Sequence, residues 1–468
     1  MEDTTSAIRT SVAIATILLT SLTGCGWMES RDQIRMKVES LYGAEPGARA
    51  PSASDTVATI VPSDAQIRER ANLTLYLRYG LHQNARLRSR YHQWRAALER
   101  IAQVTTLPDP VFTFAQFVEE VQTRTGPQER RYGLSQTFPW FGKLDLRGRV
   151  ASLEAEELWQ GVQSTRLEVT RDIAVAYYEY GYLSQALRIT RESLDLLQQL
   201  DPVVQRRIAS GTAGQEDLLR LQVEVGKLSN ELASFESVQA SLSSRLASAM
   251  SWPEPEALPL PELREPGPSP LAADGQSVDA LVDRATTLNP RLVRLRESIR
   301  KNERARELAG LARWPDATLG LDYFETGSAL TPTLGSGDDP VALRLMFNLP
   351  IWGKKYAAAE READQQIDAN RFALLDASLV MRADLEYAAF QLADAARQVS
   401  LYRDSLLPRA SESLNVTRAS YRAGRATLLD VIDSERARLQ FEIAYWRACR
   451  DQFQSHARLE AIVGGEVR

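Results

Sequence analysis

The chain has 468 residues, a quarter of them charged, with a formal net charge of −5 and a pI near 5.6. A nucleic-acid partner usually requires a clustered basic face, so this acidic balance argues against one. No apolar run of about 18 residues follows residue 25, which predicts that no helix of the mature chain crosses a membrane, although membrane-spanning strands leave a much weaker signal.

The first 24 residues have the pattern of a signal peptide. An apolar stretch, Val12–Leu22, leads into the tetrad Leu22-Thr23-Gly24-Cys25. This tetrad resembles a bacterial lipobox, and the resemblance implies that Cys25 is lipidated and becomes the mature N-terminus, with Gly26 favouring delivery to the outer membrane. A plain cleaved signal peptide with a chance cysteine is the alternative. Residues 25–62, rich in Ser, Ala, Pro and charge, are interpreted as a lipid-anchored tether.

A first repeat, residues 63–251, is predicted to combine helices with two strands. Apolar residues have helical spacing from Asp64 to about Thr106, and an extended run follows from Val111 to Val121. A polar loop is expected from Thr123 to Arg130, and then a second strand that ends at Phe138-Pro139-Trp140-Phe141-Gly142-Lys143. Two long helices are expected after it, from Leu144 to about Leu200, interrupted by Pro202, and from Glu216 to Met250.

Residues 252–277 form a linker that carries seven prolines. The second repeat, residues 278–468, follows the same order as the first. Its opening helix ends at Trp314-Pro315-Asp316, as the first one ends at Leu107-Pro108-Asp109, and its second strand closes at Leu349-Pro350-Ile351-Trp352-Gly353-Lys354. Long helices are expected from Tyr356 to about Leu407 and from Glu412 to Ile462, broken by Pro408 and by a glycine turn.

Alternation with a period of two is clearest in the last strand. One face carries apolar side chains and the other carries small or polar ones such as Arg344; the apolar residues are Val341, Leu343, Leu345 and Phe347. Each of the four extended runs has about the length of a tilted membrane strand, about nine to eleven residues. We expect these four apolar side chains to face lipid, because four strands offer no partner sheet.

Four strands are too few to close a membrane barrel, since the smallest have about eight. Open strand edges are not tolerated in hydrocarbon, so the strands of two or three chains must combine. A periplasmic coiled-coil structural lipoprotein that never inserts its strands is the alternative.

A glycine turn between two helices stands at Tyr421–Leu439, YRAGRATLLDVIDSERARL. Gly424 breaks the helical pattern, and Asp430 and Asp433 lie three residues apart, so both carboxylates share one face of the following helix. A weaker copy keeps the same spacing from Gly211 to Asp217. The chain is therefore interpreted as a structural duplication.

Sequence motifs for catalysis are absent: there is no phosphate loop, dinucleotide fingerprint or nucleophile elbow. The three histidines are scattered, and neither cysteine belongs to a C-x-x-C pair. We expect no enzyme activity, no metal site and no cofactor.

These features together resemble the TolC family of outer-membrane efflux proteins. The marks are the duplicated helix-strand-strand-helix order, Asn289-Pro290-Arg291-Leu292, the two strand-to-helix closures TFPWFGK and NLPIWGK, and the glycine-turn motif. The resemblance implies a mainly α fold with a small membrane β-barrel contribution. A homotrimer would form a long α-helical barrel, and four strands per chain would form a shared 12-stranded trimeric β-barrel.

The resemblance also implies roles for the turn residues. Asp430 and Asp433 match acidic positions that narrow the periplasmic entrance and favour cations; Arg220 stands at the second acidic position in the first copy. The alternative is that both aspartates are solvated charges near a helix N-terminus, where the helix dipole favours acids. Gly211, Gly424 and Arg425 would form the hairpin tips where a periplasmic adaptor (membrane-fusion) protein docks.

The expected function is that of a lipid-anchored outer-membrane channel, a passive exit duct in contact with outer-membrane lipid that works with an adaptor and an inner-membrane pump. Its substrates are expected to be heavy-metal cations or drugs, because the stretch TFPWFGKLDLR looks like members that serve metal pumps. A type I secretion duct is the alternative within the same class.

Overall fold

The structure, a computed structural model, describes residues 62–267, 277–331 and 334–467. Its strands are β1 (Val111–Thr123), β2 (Gly126–Phe138), β3 (Ala317–Thr326) and β4 (Val341–Phe347). Its helices are α1 (Asp64–Glu69), α2 (Leu73–Gln83), α3 (Ala85–Thr105), α4 (Lys143–Ala209), α5 (Gln215–Met250), α6 (Val278–Leu288), α7 (Pro290–Leu311), α8 (Gly353–Leu401), α9 (Leu407–Arg422) and α10 (Leu428–Val463). The predicted order of helices and strands in both repeats is confirmed.

Two compact units divide the described residues, and each contains parts of both repeats. The sheet unit includes residues 93–158 and 295–373, with all four strands. The helical unit includes residues 159–267, 277–294 and 374–467, together with 62–92. The packing units therefore cut across the sequence duplication, because helices of one repeat pack against helices of the other.

Asn84 ends α2 and divides the first predicted helical run. Its Oδ1 accepts a hydrogen bond from the backbone N–H of Leu87 at 3.0 Å, and its Nδ2 donates to the carbonyl of Ala249 at 2.9 Å. The side chain thus satisfies backbone groups at the start of α3 and at the end of α5, which helix ends leave without partners.

Asn289 does the same in the second repeat, between α6 and α7. Its Oδ1 accepts from the N–H of Arg291 at 2.9 Å, and its Nδ2 donates to the carbonyl of Ile462, near the end of α10, at 2.8 Å. In each repeat, therefore, one asparagine joins the opening helices to the end of the last helix. The sequence interpretation treated both runs as single helices and missed this junction.

The four strands form one antiparallel sheet in the order β1-β2-β3-β4. Its register places the apolar side chains of neighbouring strands in rows; one row is Phe112, Leu134, Leu321 and Leu343. All four of these side chains are exposed, as are the predicted lipid-facing residues Val341, Leu345 and Phe347. The alternation predicted from the sequence is therefore present as one continuous apolar face.

The opposite face of the sheet is polar and carries a buried acid. Asp322 is only 3% exposed and lies between two arginines, with Arg131 Nη2 at 3.0 Å and Arg344 Nε at 3.5 Å. Gly133, its partner across the strands, leaves the space that the carboxylate fills, since a Cβ there would lie 2.5 Å from Asp322 Oδ1. This face therefore holds a paired charge cluster.

Two boundaries predicted in the first repeat are wrong. The loop expected from Thr123 to Arg130 is a tight turn, because β2 already begins at Gly126, whose positive φ of 137° makes the turn. Pro202 does not interrupt α4, which continues to Ala209. Val204, two residues further along, is fully buried in an apolar cluster, and we attribute the tolerance of one lost backbone hydrogen bond to that packing.

Pro408 also produces less of a break than expected. A π-helical turn, Tyr402–Leu406, connects α8 to α9, and Pro408 lies at the start of α9. A π-turn shifts the backbone hydrogen-bond pattern by one residue, which accommodates a position that lacks an N–H.

Apolar clusters bury the helix faces of the helical unit. The buried side chains of one cluster include Tyr76, Tyr180, Leu246 and Met250. In the same cluster, Tyr79 packs edge-on against Trp252 with ring centroids 5.1 Å apart. A helix long and apolar enough to cross a bilayer does not occur among the described residues.

Candidate functional site: the paired glycine turns

The second glycine turn ends α9 in a left-handed conformation. Gly424 has a φ of 74°, which a side chain would strain. The N–H of Arg425 donates to the carbonyl of Ser420 at 2.8 Å, and the N–H of Gly424 donates to that of Tyr421 at 3.0 Å. These bonds satisfy carbonyls that the helix end would otherwise leave free.

The first glycine turn repeats this pattern at the end of α4. Gly211 has a φ of 71°. The N–H of Thr212 donates to the carbonyl of Arg207 at 2.9 Å, and the N–H of Gly211 donates to that of Ile208 at 3.0 Å. The predicted equivalence of Gly211 and Gly424 therefore extends to their backbone hydrogen bonds.

Asp430 caps the helix that follows the second turn. Its Oδ2 accepts hydrogen bonds from the N–H of Thr427 at 2.8 Å and from the Thr427 hydroxyl at 2.7 Å, and Thr427 Oγ1 accepts from the N–H of Asp430. The hydrogen bonds from Thr427, first from its backbone N–H, lower the pKa of Asp430. The carboxylate remains exposed, so it is a capping group and a surface charge at once.

Asp433 lies one turn further along α10 and is also exposed. Its Oδ1 is 3.3 Å from Nη1 of Arg436, whose guanidinium also binds Glu224 of α5 at 2.9 Å. The hydrogen bond from Arg436 lowers the pKa of Glu224, although partial burial opposes the shift. The structure thus brings Asp430 and Asp433 to one end of α10, and Arg436 ties Asp433 to the neighbouring helix.

The two turns belong to one packed group of helix ends. The guanidinium of Arg207 lies 4.4 Å from the centroid of the Tyr421 ring. Val204, Leu428 and Val431 are buried together in the same apolar cluster. Arg425 is exposed and makes no ion pair with any residue that the structure describes.

A buried ion network behind the second turn was missed by the sequence interpretation. Glu435 is 2% exposed; its Oε1 accepts from Arg438 at 2.8 Å and from the hydroxyl of Ser193 at 2.5 Å. Arg438 also binds Glu442 at 2.6 Å. The pKa of Arg438 is raised, mainly by its hydrogen bond to Glu435. Within α10, the spacing from Glu435 to Arg438 is i, i+3 and that from Arg438 to Glu442 is i, i+4, so both contacts could be read from the sequence. Ser193 comes from the other repeat and could not.

Metal-binding groups of three or more His, Cys, Asp or Glu side chains do not occur in the described parts of the chain. His456 Nδ1 lies 3.9 Å from Glu460 Oε2, one helical turn away. Burial raises the pKa of Glu460. Cys25 lies outside the described residues.

The fold matches that of a solved outer membrane protein. The solved structure of the outer membrane protein VceC from Vibrio cholerae matches 87% of this chain and 100% of its own, with a TM-score of 0.68 and 16% identity. The chain thus has the fold of a protein built from two helix-strand-strand-helix repeats, which share one open four-stranded sheet.

Sequence comparison finds a family match in the second repeat and two related proteins. The model described as outer membrane efflux protein matches residues 281–465, which is nearly all of the second repeat. The cobalt-zinc-cadmium resistance protein CzcC of Cupriavidus metallidurans is 25% identical over 337 residues, covering 69% of this chain and 74% of CzcC. The pyoverdine export outer membrane protein OpmQ of Pseudomonas putida is 24% identical over 341 residues, covering 70% of this chain and 68% of OpmQ.

The second repeat of this chain thus matches the outer membrane efflux protein family, and the chain is similar to a metal-resistance protein and to an outer-membrane export protein. The family predicted from the sequence motifs is confirmed. The match to the outer membrane efflux protein model and the similarity to the export protein OpmQ favour a channel over the structural-lipoprotein alternative.

Proposed function

We propose that three copies of this chain form a passive exit duct, with twelve strands closing in the outer membrane and the two glycine turns at the periplasmic entrance. The exposed apolar face of the sheet and its two edge strands, β1 and β4, support the membrane part of this proposal. Gly211, Gly424 and Arg425 would meet a periplasmic adaptor protein, and an inner-membrane pump would supply the energy.

The acidic entrance is supported by one observation: Asp430 and Asp433 stay exposed at the first turns of α10, directly after the Gly424 turn. Three copies would place six carboxylates around one axis. Their summed negative potential would attract cations and repel anions. Capping by Asp430 is compatible with this role, because a capping carboxylate keeps its charge.

The test is single-channel conductance in a planar bilayer, comparing the unaltered protein with the Asp430→Asn/Asp433→Asn double variant. Asparagine can still accept the hydrogen bond from Thr427, so the charge is removed while the cap is largely kept. We expect the preference for cations to fall in the double variant. The matched control is Asp217→Asn, at the equivalent position of the first repeat, which should change it less. Equal effects of both variants, or none, would remove the entrance role.

Divalent heavy-metal cations are the substrate class we propose. The similarity to CzcC supports this, together with the acidic turn that the cations would pass. A strain that lacks its own metal-efflux channel should regain resistance to zinc, cobalt or cadmium when it expresses this chain with its neighbouring pump and adaptor genes. Restored export of a siderophore or of a secreted protein, without metal resistance, would favour the OpmQ-like or type I secretion alternative.

We also propose that Cys25 carries the lipid anchor. Mass spectrometry of the purified protein should find an acylated N-terminal cysteine. Cys25→Ala should remove the modification while the channel still assembles, since the strands provide the membrane contact. An unmodified mature N-terminus at another residue would contradict the anchor and leave the channel function untouched.

A further inference from the structure

Lys143 joins the two repeats at the base of the sheet. Its Nζ donates to Asp316 Oδ1 at 2.7 Å and to the carbonyl of Trp314 at 2.8 Å, and the N–H of Trp140 donates to the same Asp316 oxygen at 2.8 Å. The rings of Trp140 and Trp314 stack with centroids 5.1 Å apart. Lys143 is 5% exposed, so this junction between β2 and β3 is a buried contact in which the ammonium group has its hydrogen-bond partners.

Both halves of this junction occur a second time in the chain without a partner. Lys354 follows the second strand-to-helix closure as Lys143 follows the first, and Asp109 precedes β1 as Asp316 precedes β3. Lys354 and Asp109 are both exposed, and neither forms an ion pair with a described residue. Lys354 and Asp109 thus have the same charged groups as Lys143 and Asp316, but they do not bind each other within the chain.

The two unpaired groups lie at opposite edges of one sheet. β1 and β4 are separated by β2 and β3, and adjacent strands are about 4.8 Å apart, so the edges are separated by about 14 Å. Lys354 therefore has no short route to Asp109 of its own chain within this sheet. A second copy brings the two groups together if its β1 lies beside β4.

We infer that Lys354 of one copy binds Asp109 of the next copy, and that this contact fixes the β4–β1 junction in the register of the β2–β3 pair. The inference rests on the proposed multichain channel and specifies how its copies join. Leu134 opposes Leu321 within the chain; counting from Lys143 to Lys354 and from Asp316 to Asp109 places Leu345 opposite Phe114 of the next copy.

The apolar pattern independently agrees with the side of the sheet on which this register places each residue. The count starts from the closure motifs and makes no use of hydrophobicity, yet it sets Leu345 against Phe114 and Phe347 against Phe112. All four side chains are exposed on the apolar face. A slip by one residue would place each apolar side chain opposite a residue of the polar face. The same contact therefore continues the apolar face from one copy to the next.

The register is tested with two chains that each carry one new cysteine, Leu345→Cys in one and Phe114→Cys in the other. Directly opposed residues have the separation that a disulfide needs, so oxidation of the mixed assembly should give a covalent dimer. Neither chain alone should give one. The positive control is Leu134→Cys/Leu321→Cys, which should form a disulfide within a single chain. Cross-linking of Leu343→Cys with Phe114→Cys in preference to the first pair would overturn the register.

The ion pair is tested by charge exchange. Lys354→Asp and Asp109→Lys should each cause loss of the oligomer in detergent, and the double exchange should restore it. Lys355→Asp, next to Lys354 and also exposed, is the matched control and should leave the oligomer intact. If the double exchange is as weak as the single ones, the ion pair is refuted.

Failure of this inference differs from failure of the proposed function. If the unaltered chain forms trimers and conducting channels, but the cysteine variants give no cross-link and the double charge exchange gives no rescue, the junction alone is refuted. An unaltered chain that forms neither trimers nor channels would refute the proposed function and the junction with it.

Discussion

The Gly211 and Gly424 turns share their backbone hydrogen bonds, but the helices after them are held differently. α10 begins with the capping box of Thr427 and Asp430, whereas Gly214 gives α5 no side-chain cap. Glu435 and Arg438, the buried pair behind the second turn, correspond by position to Gln222 and Val225 in the first. Local turn geometry has thus been kept in both repeats, while the second turn, which bears the acidic pair, has a helix cap and a buried ion pair that the first turn lacks.

The two strand-to-helix closures show the same contrast. Lys143 is buried against Asp316, and Lys354, its counterpart, is exposed. The difference follows from position in the sheet, because one closure lies between two strands of the chain and the other lies at an edge. The same closure sequence therefore contributes differently to the stability of the fold, because Lys143 has a buried partner within the chain and Lys354 does not.

The largest expected effect comes from giving the second turn the residue of the first, Arg438→Val. This substitution leaves Glu435 buried without its cation, and breaking a buried ion pair costs about 3–5 kcal/mol. Urea unfolding in detergent, followed by circular dichroism, should show the loss. Arg447→Val, an exposed arginine on the same helix, is the control and should change the free energy of unfolding by about 0.5 kcal/mol or less. A similarly small loss for Arg438→Val would mean that the second turn is not held by this network.

Lys143→Met should cost about 2 kcal/mol, less than a fully buried pair, because a quarter of the Asp316 side chain stays exposed, at 25%. Lys355→Met, an exposed lysine that starts the equivalent helix of the second repeat, should cost little. The same urea series measures both. Equal losses would show that the burial of Lys143 does not distinguish it from a surface lysine.

Acid should erase the difference made by Lys143. Burial acts to raise the pKa of Asp316, but the hydrogen bonds from Lys143 and from the Trp140 N–H outweigh it and hold the pKa below its usual value. A carboxyl with a lowered pKa stabilises the fold fully above its unfolded pKa of about 3.9, and loses that contribution as pH falls through the folded value. Unaltered protein and Lys143→Met should therefore converge in stability in strong acid; a constant gap would contradict the ionic origin.

The asparagine junctions should behave alike in the two repeats. Asn84→Ala and Asn289→Ala each remove one donor and one acceptor used by helix ends, at an expected cost of about 1–2 kcal/mol. The value should be larger for Asn84, which is 5% exposed, than for the half-buried Asn289. Asn230→Ala, on the exposed surface of α5, is the control in thermal unfolding. A negligible effect at either junction would show that the repeats are not closed in the same way.

The smallest effects concern the helix caps. Thr427→Ala removes the cap of α10 and should cost about 1 kcal/mol, whereas Gly214→Ser adds a cap to α5 and should gain a few tenths of a kcal/mol. Calorimetry on both variants would measure how much of the difference between the turns is local. Destabilisation by Gly214→Ser would indicate that Glu216, whose side chain lies where a Cβ would go, cannot move aside.

Periodicity and repetition were enough to predict most of the fold. The alternation from Val341 to Phe347 gave the strand and its apolar face, and the repeated closures and glycine turns gave the element order. Proline was a poorer guide: Pro202 lies inside α4, because its effect depends on whether surrounding packing compensates for one lost hydrogen bond. The loop at Thr123–Arg130 was predicted too long, because its polar residues also suit an exposed strand end.

Only part of the candidate site could be predicted from the sequence. The spacing of Asp430 and Asp433 is a local feature of the sequence. The capping box of Thr427 and Asp430 is local too, and the T-x-x-D pattern would have predicted it, but the sequence analysis did not use that pattern. The partners that come from other helices, Glu224 for Arg436 and Ser193 for Glu435, were not predictable, because nothing in the motif specifies which helix packs against it.

Features that depend only on neighbours along the chain could be read from the residues: strand alternation, the glycine turns, the caps and the duplication. Those features follow from backbone conformation and from side-chain spacing within a few residues. The packing of the folded chain determines which copy of each repeated feature acquires a partner. Lys143 and Lys354 have nearly the same local sequence, and only the order of the strands buries the first and leaves the second exposed at the sheet edge.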